Sequence, residues 1–255
     1  MTRSSVVPDL YELPQEYKRL RAWHDVVVGT PSAPQLLRWT VWYPPGHERG
    51  GKRGTLYESY ALKTRGGSVL IDPARPDAAT EAHLRHKIDA MGGTPLASIL
   101  TNDMHERDAY SVRSEFGVPV WAPARGKGDY DGEPNRFYDD GDRLPGALLA
   151  ISIDGPFPGD SALLAETADG AKVLFTADMV MGQRSEHDVR PGLGRDEPGL
   201  YLHGVNSHPR GSTDMAAFKQ SLRRALDHDF DVIAPAHGRP FRDDPKGALR
   251  KLLDT

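Results

Sequence analysis

From Tyr57 onward the apolar and polar positions fall into repeating patterns. LYESYALKT alternates with the two-residue period of a strand that buries one face, and the glycines after it supply a turn. SVLIDP is a short apolar run ending in Asp72 and Pro73, which predicts a buried strand with a loop at its C-terminal end. ATEAHLRHKIDAMGG then changes period. Leu84, Ile88 and Met91 fall on one helical face, and the paired glycines stop the helix. The order repeats: PLASILTND predicts a strand, ERDAYSVRSEFG a helix closed by Gly117, and VPVWAP another strand. Strand, helix, strand in succession predicts an α/β fold.

The second half is richer in strands. ALLAISIDG is one, and SALLAETADG runs through an Asp-Gly turn into AKVLFTADM as a hairpin. An amphipathic helix over TDMAAFKQSLRRALDHD, a strand over FDVIAPAHG and a short basic helix over DPKGALRKLLDT close the chain. The long Gly-, Pro- and His-containing stretch from Val180 to about Pro209 predicts a functional loop. Residues 1–54 have an irregular pattern but carry Trp23, Trp39 and Trp42, so they are expected to be an N-terminal extension packed on a domain spanning 55–255.

Composition narrows the chemistry. The chain has 255 residues, enough for one large core. A net charge of −4 offers no concentrated cationic face for nucleic acid. The absence of cysteine excludes disulfides, thiol nucleophiles and Cys-zinc sites, so any metal must be held by His and carboxylates. No apolar run reaches signal-peptide or membrane-span length, and the expectation is a cytoplasmic protein that acts on a small molecule, with no membrane partner and with a homo-oligomer left open. Neither a G-x-S-x-G elbow nor a phosphate-cradling glycine loop is present.

Several strands end in a polar residue: Asp72, then Asn102 and Asp103, then Asp178 and His237, with Asp160 following a Pro-Gly turn. Strand ends are where loops in open α/β folds converge side chains, although an aspartate there often does no more than cap a helix or make a turn. In this order the segments SVLIDP, SILTNDMHERDA, DGPFPGDSALL, KVLFTADMV and DVIAPAHGRP resemble the motifs of the metallo-β-lactamase superfamily over roughly residues 57–240. The resemblance implies an αβ/βα four-layer sandwich. It also implies a family motif T-H-x-H-x-D-H, which this chain alters. With Thr101 on the motif threonine, Asn102 and Met104 take the first two histidine positions, Glu106 the aspartate and Arg107 the last histidine. Asp160 then stands at the turn histidine, while Asp178 and His237 match the bridging aspartate and the final histidine. A shift of one residue instead puts Asp103, His105 and Asp108 at ligand positions.

The resemblance thus implies a hydrolase of an ester, lactone, thioester or phosphoester that uses metal-bound water. Its metal ligands would come from His105, Glu106, Asp160, Asp178 and His237, with Glu106, Arg107 and Asp160 as catalytic groups. The implied cofactor is a divalent metal (zinc, manganese or iron), with a single ion or none left open, and so carboxylate-rich a set suits manganese, magnesium or iron better than a pair of zinc ions. The competing reading is a metal-free member that binds or rearranges its ligand with Asp160, Asp178 and Arg107, one of the two carboxyls having a raised pKa. Redox chemistry at a non-haem iron is a third. Of the other histidines, His83 and His86 are expected on a solvated helix face, His187, His203 and His208 in or near the long loop, and His24, His47 and His228 without a role. The substrate depends on residues 1–54, 124–144 and 180–212, which match no motif.

Overall fold

The computed structural model describes Leu13 and residues 15–157, 159–189, 197–203 and 214–255. A seven-stranded sheet comes first, its strands neighbours in chain order: β1 (Arg21–Thr30), β2 (Ala33–Tyr43), β3 (Thr55–Thr64), β4 (Gly67–Ile71), β5 (Ser98–Ile99), β6 (Val120–Pro123) and β7 (Arg136–Tyr138). The first four form an antiparallel meander, and β4 to β7 run parallel. The parallel crossovers are made by α1 (Ala78–Ala90) and α2 (Ala109–Phe116). Asp77 caps α1 by accepting from the amides of Ala79 and Thr80, and α2 ends where Gly117 adopts φ 67°.

A second sheet contains β8 (Arg143–Leu144), β9 (Leu148–Ser152), β10 (Ser161–Glu166) and β11 (Lys172–Phe175). A small ribbon of β12 (Val180–Met181) and β13 (Tyr201–Leu202) follows, then α3 (Met215–Arg223), β14 (Val232–Ala234) and α4 (Pro245–Asp254). In the second sheet the strand order is β14-β11-β10-β9-β8, with β14 parallel to β11. β10 and β11 are the expected hairpin, and Gly170 at φ 96° makes its Asp-Gly turn.

The two sheets pack face to face over Leu36, Tyr60, Leu62, Ile99, Leu163 and Phe175. Leu84, Ile88 and Met91 of the α1 segment and Val112 of α2 cover the outer face of the first sheet. Phe218 and Leu222 of α3 and Leu249 and Leu253 of α4 cover the second. Each fully buried side chain of this size contributes about 1.5–3 kcal/mol of burial free energy. The result is the four-layer αβ/βα sandwich expected from the sequence.

Within the 1–54 stretch, residues 21–43 differ from their irregular appearance, because β1 and β2 are integral strands of the first sheet. On β2 and β3 the face toward the second sheet starts apolar, at Leu36, Tyr60 and Leu62, and turns polar at Arg38, Thr40 and Glu58, all buried. That change of character breaks the alternation on which a strand reading of β2 depends.

Candidate functional site

The parallel strands β4 and β5, and β11 and β14, end at one place, and the residues after them form a buried polar cluster. Asp72 follows β4 with φ 46°, a left-handed conformation that Asp tolerates better than most residues. Its Oδ1 accepts from the Thr101 amide at 2.8 Å, and its Oδ2 accepts from the Thr101 hydroxyl at 2.5 Å. His105, from a single turn after β5, places Nδ1 2.9 Å from Asp72 Oδ2 and Nε2 3.2 Å from Asp178 Oδ1. Asp178 follows Ala177, itself at φ 47°. On the far side of the same Asp178 oxygen lies Nε2 of His237, also at 3.2 Å. The chain of groups therefore reads Asp72, His105, Asp178, His237, from interior to surface: the His105 side chain is 2% exposed and that of His237 27%.

The electrostatics follow from this order. Burial alone would lower the pKa of His105. The Asp178 carboxylate overrides that, Arg107 opposes and Asp72 adds, so the imidazole is pushed up to about 9. Burial would raise Asp178, but His105 and His237 hold it well below the usual carboxylate range. The raised pKa of His105 favours its imidazolium form, whose two ring nitrogens face carboxylates.

Asp160 lies beside this chain and not within it. It is fully buried; Oδ1 accepts from Asn102 Nδ2 at 3.0 Å and Oδ2 from the Phe157 amide at 2.9 Å. Burial pushes its pKa up to about 7 against those two donors. The fit is tight: a Cβ on Gly155 would stand 2.2 Å from Asp160 Oδ2. Glu106 is engaged elsewhere. Its carboxylate accepts from the Tyr110 hydroxyl and from the amides of Asp131 and Gly132, which groups it with the 131–132 turn. Arg107, at φ 41°, is buried; its Nη1 donates to the carbonyls of Glu58 and Asp72 at 2.5 and 3.0 Å, and its guanidinium lies 4.4 Å from the Tyr57 ring centroid. It ties the backbone under the site together and meets an aromatic face.

The structure thus brings His105, Asp178 and His237 together, sets Asp160 next to them through Asn102, and gives Glu106 and Arg107 supporting contacts. Asp72 and Thr101 orient His105, a role that the sequence hinted at only by ending a strand in Asp. Asp108, a ligand position in the shifted register, binds Arg49, Tyr43 and the Arg75 amide instead. His187 and His203 stack on Trp23 and Phe157, and His83 lies 4.6 Å from His24. His208 lies outside the described residues.

Comparison with solved structures places this architecture. The DIM-1 metallo-β-lactamase covers 92% of this chain with 97% of its own, at a TM-score of 0.61 and 14% identity. The metallo-β-lactamase from Pontibacter korlensis covers 91% with all of its own chain, at 0.58 and 13%. The FIM-1 enzyme from Pseudomonas aeruginosa, in a mono-zinc form, covers 93% with 96% of its own, at 0.59 and 12%. The chain has the metallo-β-lactamase fold. No family model and no curated protein matches its sequence.

Such neighbours make a divalent metal a natural question, and the donor set answers it from its own chemistry. Two of the expected histidine positions hold Asn102 and Met104, and the Asn102 amide donates to the Asp160 carboxylate that a metal would need. His105 Nδ1 faces Asp72 Oδ2 and its Nε2 faces Asp178 Oδ1, so a metal would have Nε2 alone to bind, in competition with that carboxylate. Among the described residues no group of three or more His, Asp or Glu side chains is disposed to hold a metal ion. The residues present do not fit a dinuclear metal centre.

Proposed function

We propose that this protein is a hydrolase of an ester, lactone, thioester or phosphoester bond in a small-molecule substrate, and that its working base is His237. One observation carries the reading: a partly exposed imidazole at the strand ends whose Nε2 sits 3.2 Å from a buried carboxylate, Asp178. With Asp178 Oδ1 beside Nε2, the tautomer protonated at Nε2 is favoured, and Nδ1 is left as the atom able to take a proton. A water beside Nδ1 loses a proton to it as its oxygen attacks the carbonyl or phosphoryl centre. The same proton is then returned to the departing alkoxide or thiolate, so one water is consumed and acid and alcohol or thiol leave. His105 keeps Asp178 ionised throughout, and Asp72 with Thr101 keeps His105 in place.

Chelator-dialysed protein, assayed against a panel of the four bond types, tests this. Turnover should persist after dialysis and fall by at least about a hundredfold in both His237→Ala and Asp178→Asn. Turnover that either variant retains in full would end the assignment.

A second reading has one observation in its favour. Asp72 on Nδ1 of His105, with Nε2 turned toward Asp178, is the carboxylate-backed arrangement that metal-binding imidazoles use. Stoichiometric metal on elemental analysis, lost in His237→Ala together with activity, would replace the metal-free reading with a hydrolase using metal-bound water.

A further inference from the structure

His237 is not anchored by Asp178 alone. It sits in a turn after β14 whose backbone is gripped from two directions. On the core side, Ala236 N donates to Ala177 O at 2.9 Å, the Glu58 amide donates to Ala236 O at 3.2 Å, and the Tyr60 hydroxyl donates to Pro235 O at 2.7 Å. On the other side, Gly182 N donates to His237 O at 3.0 Å, and Arg239 N donates to Gln183 O at 2.8 Å. The second pair belongs to the segment that leaves the site after Asp178. Its approach is so close that a Cβ on Gly182 would stand 2.0 Å from Arg239 O.

This segment continues onto the N-terminal hairpin, over the stretch of β2 and β3 where the inner face turns polar. Glu186 faces two cations there, Arg239 Nε at 3.0 Å and Arg38 Nη2 at 3.6 Å. Arg38 is buried, and its Nε is 2.7 Å from Asp25. The next residue, His187, stacks on Trp23 with ring centroids 4.1 Å apart and planes 2° from parallel. Val189 packs against Leu13, Trp42 and Leu56. One carboxylate therefore joins the turn that carries His237 to a strand of the first sheet, and a ring stack and an apolar contact seat the segment behind it.

We infer that Glu186 is a positioning residue for His237: bridging Arg239 to Arg38, it fixes residues 182–189 as a strap that holds the His237 turn against Asp178. This rests on the reading of His237 as the base of a hydrolase. The side chain of Glu186 is 42% exposed, so replacing it leaves the core untouched. Its contribution is to geometry, and a displacement of the base by even a fraction of an ångström slows the chemical step more than it weakens binding.

The test uses the full chain with Glu186→Gln and Glu186→Asp, and Glu166→Gln as a control, because Glu166 pairs with Arg65 away from these residues. Hydrogen exchange of the amides at 182–183 and 236–239 is followed by mass spectrometry, alongside kcat and KM on whichever ester, lactone, thioester or phosphoester the wild type turns over. Glu186→Gln should speed exchange at both stretches and lower kcat about tenfold with KM little changed. Glu186→Asp should recover part of both effects, and Glu166→Gln should change neither. Unchanged exchange and unchanged kcat in Glu186→Gln would overturn the inference, as would a change in exchange with kcat intact. Should the wild type turn over none of the four bond types while exchange at 236–239 still rises in Glu186→Gln, the strap stands and the hydrolase reading falls.

Discussion

At the end of β4 the cation of His105 lies between Asp72 and Asp178, and no polar atom of the three side chains is buried without a partner. On β2 and β3, the cation of Arg38 also lies among carboxylates, yet its Nη1 stands 3.8 Å from Glu58 Oε1 and both atoms are buried without a hydrogen bond. The first cluster is saturated, and the second is slack. Burying an ion is costly in proportion to what its partners fail to return. The saturated cluster can therefore hold its charges at neutral pH, whereas Glu58 is pushed up to about 7 by burial that Arg38 and Thr40 only partly offset. The closed cluster suits the fixed dyad proposed above for catalysis. The loose one suits a region where a separate segment has to dock.

Breaking the saturated cluster should have the largest effect on stability. His105→Leu leaves Asp72 and Asp178 buried without their shared cation, and chemical denaturation should show a loss of about 3–5 kcal/mol at pH 7. The pH dependence sharpens the same point. The folded pKa of His105 lies above its ordinary value, so the stability it brings is complete below about pH 6.5 and is lost as pH rises through about 9. The unfolding free energy should therefore fall between pH 7 and 9.5 by on the order of 2–3 kcal/mol in the wild type, and this slope should vanish in a His105→Leu background.

The slack cluster should respond least. Glu58 is also raised, so folding favours its protonated form, and stability drains as pH climbs from about 4.5 through about 7. Glu58→Gln, which keeps an acceptor for the Thr40 hydroxyl, should remove that slope, and any loss of stability at pH 8 should stay below about 1 kcal/mol, because the ionised acid it replaces is itself unfavourable there. A loss as large as that of His105→Leu would erase the distinction between the two clusters.

The fold was legible where apolar periodicity was clean. Leu84, Ile88 and Met91 marked α1, and SALLAETADG with AKVLFTADM marked the β10–β11 hairpin. β1 and β2 were hidden because Arg38 and Thr40 occupy inward positions that the pattern expects to be apolar, and their partners are Asp25 on the neighbouring strand, Glu58 and the segment at 182–189. Within the site, Asp178 and His237 stood out because each ends a strand. The engagement of Glu106 with the 131–132 turn could not be read, since those residues lie 25 and 26 positions apart and no local pattern links them. The place of His105 was likewise open between two registers, until its two neighbours, 33 residues before and 73 after, came into contact with it.

The tight seat of Asp160 bears on redesign. Asn102 is fully buried, donating to a carboxyl that is itself wedged against Gly155. An imidazole introduced at position 102 would have to displace that carboxyl, and the carboxyl has no room to retreat. A histidine-rich centre is therefore not one substitution away from this sequence. An engineer seeking one would have to rebuild the 155–160 turn first, and every partial step would pass through a chain carrying an unmatched buried acid.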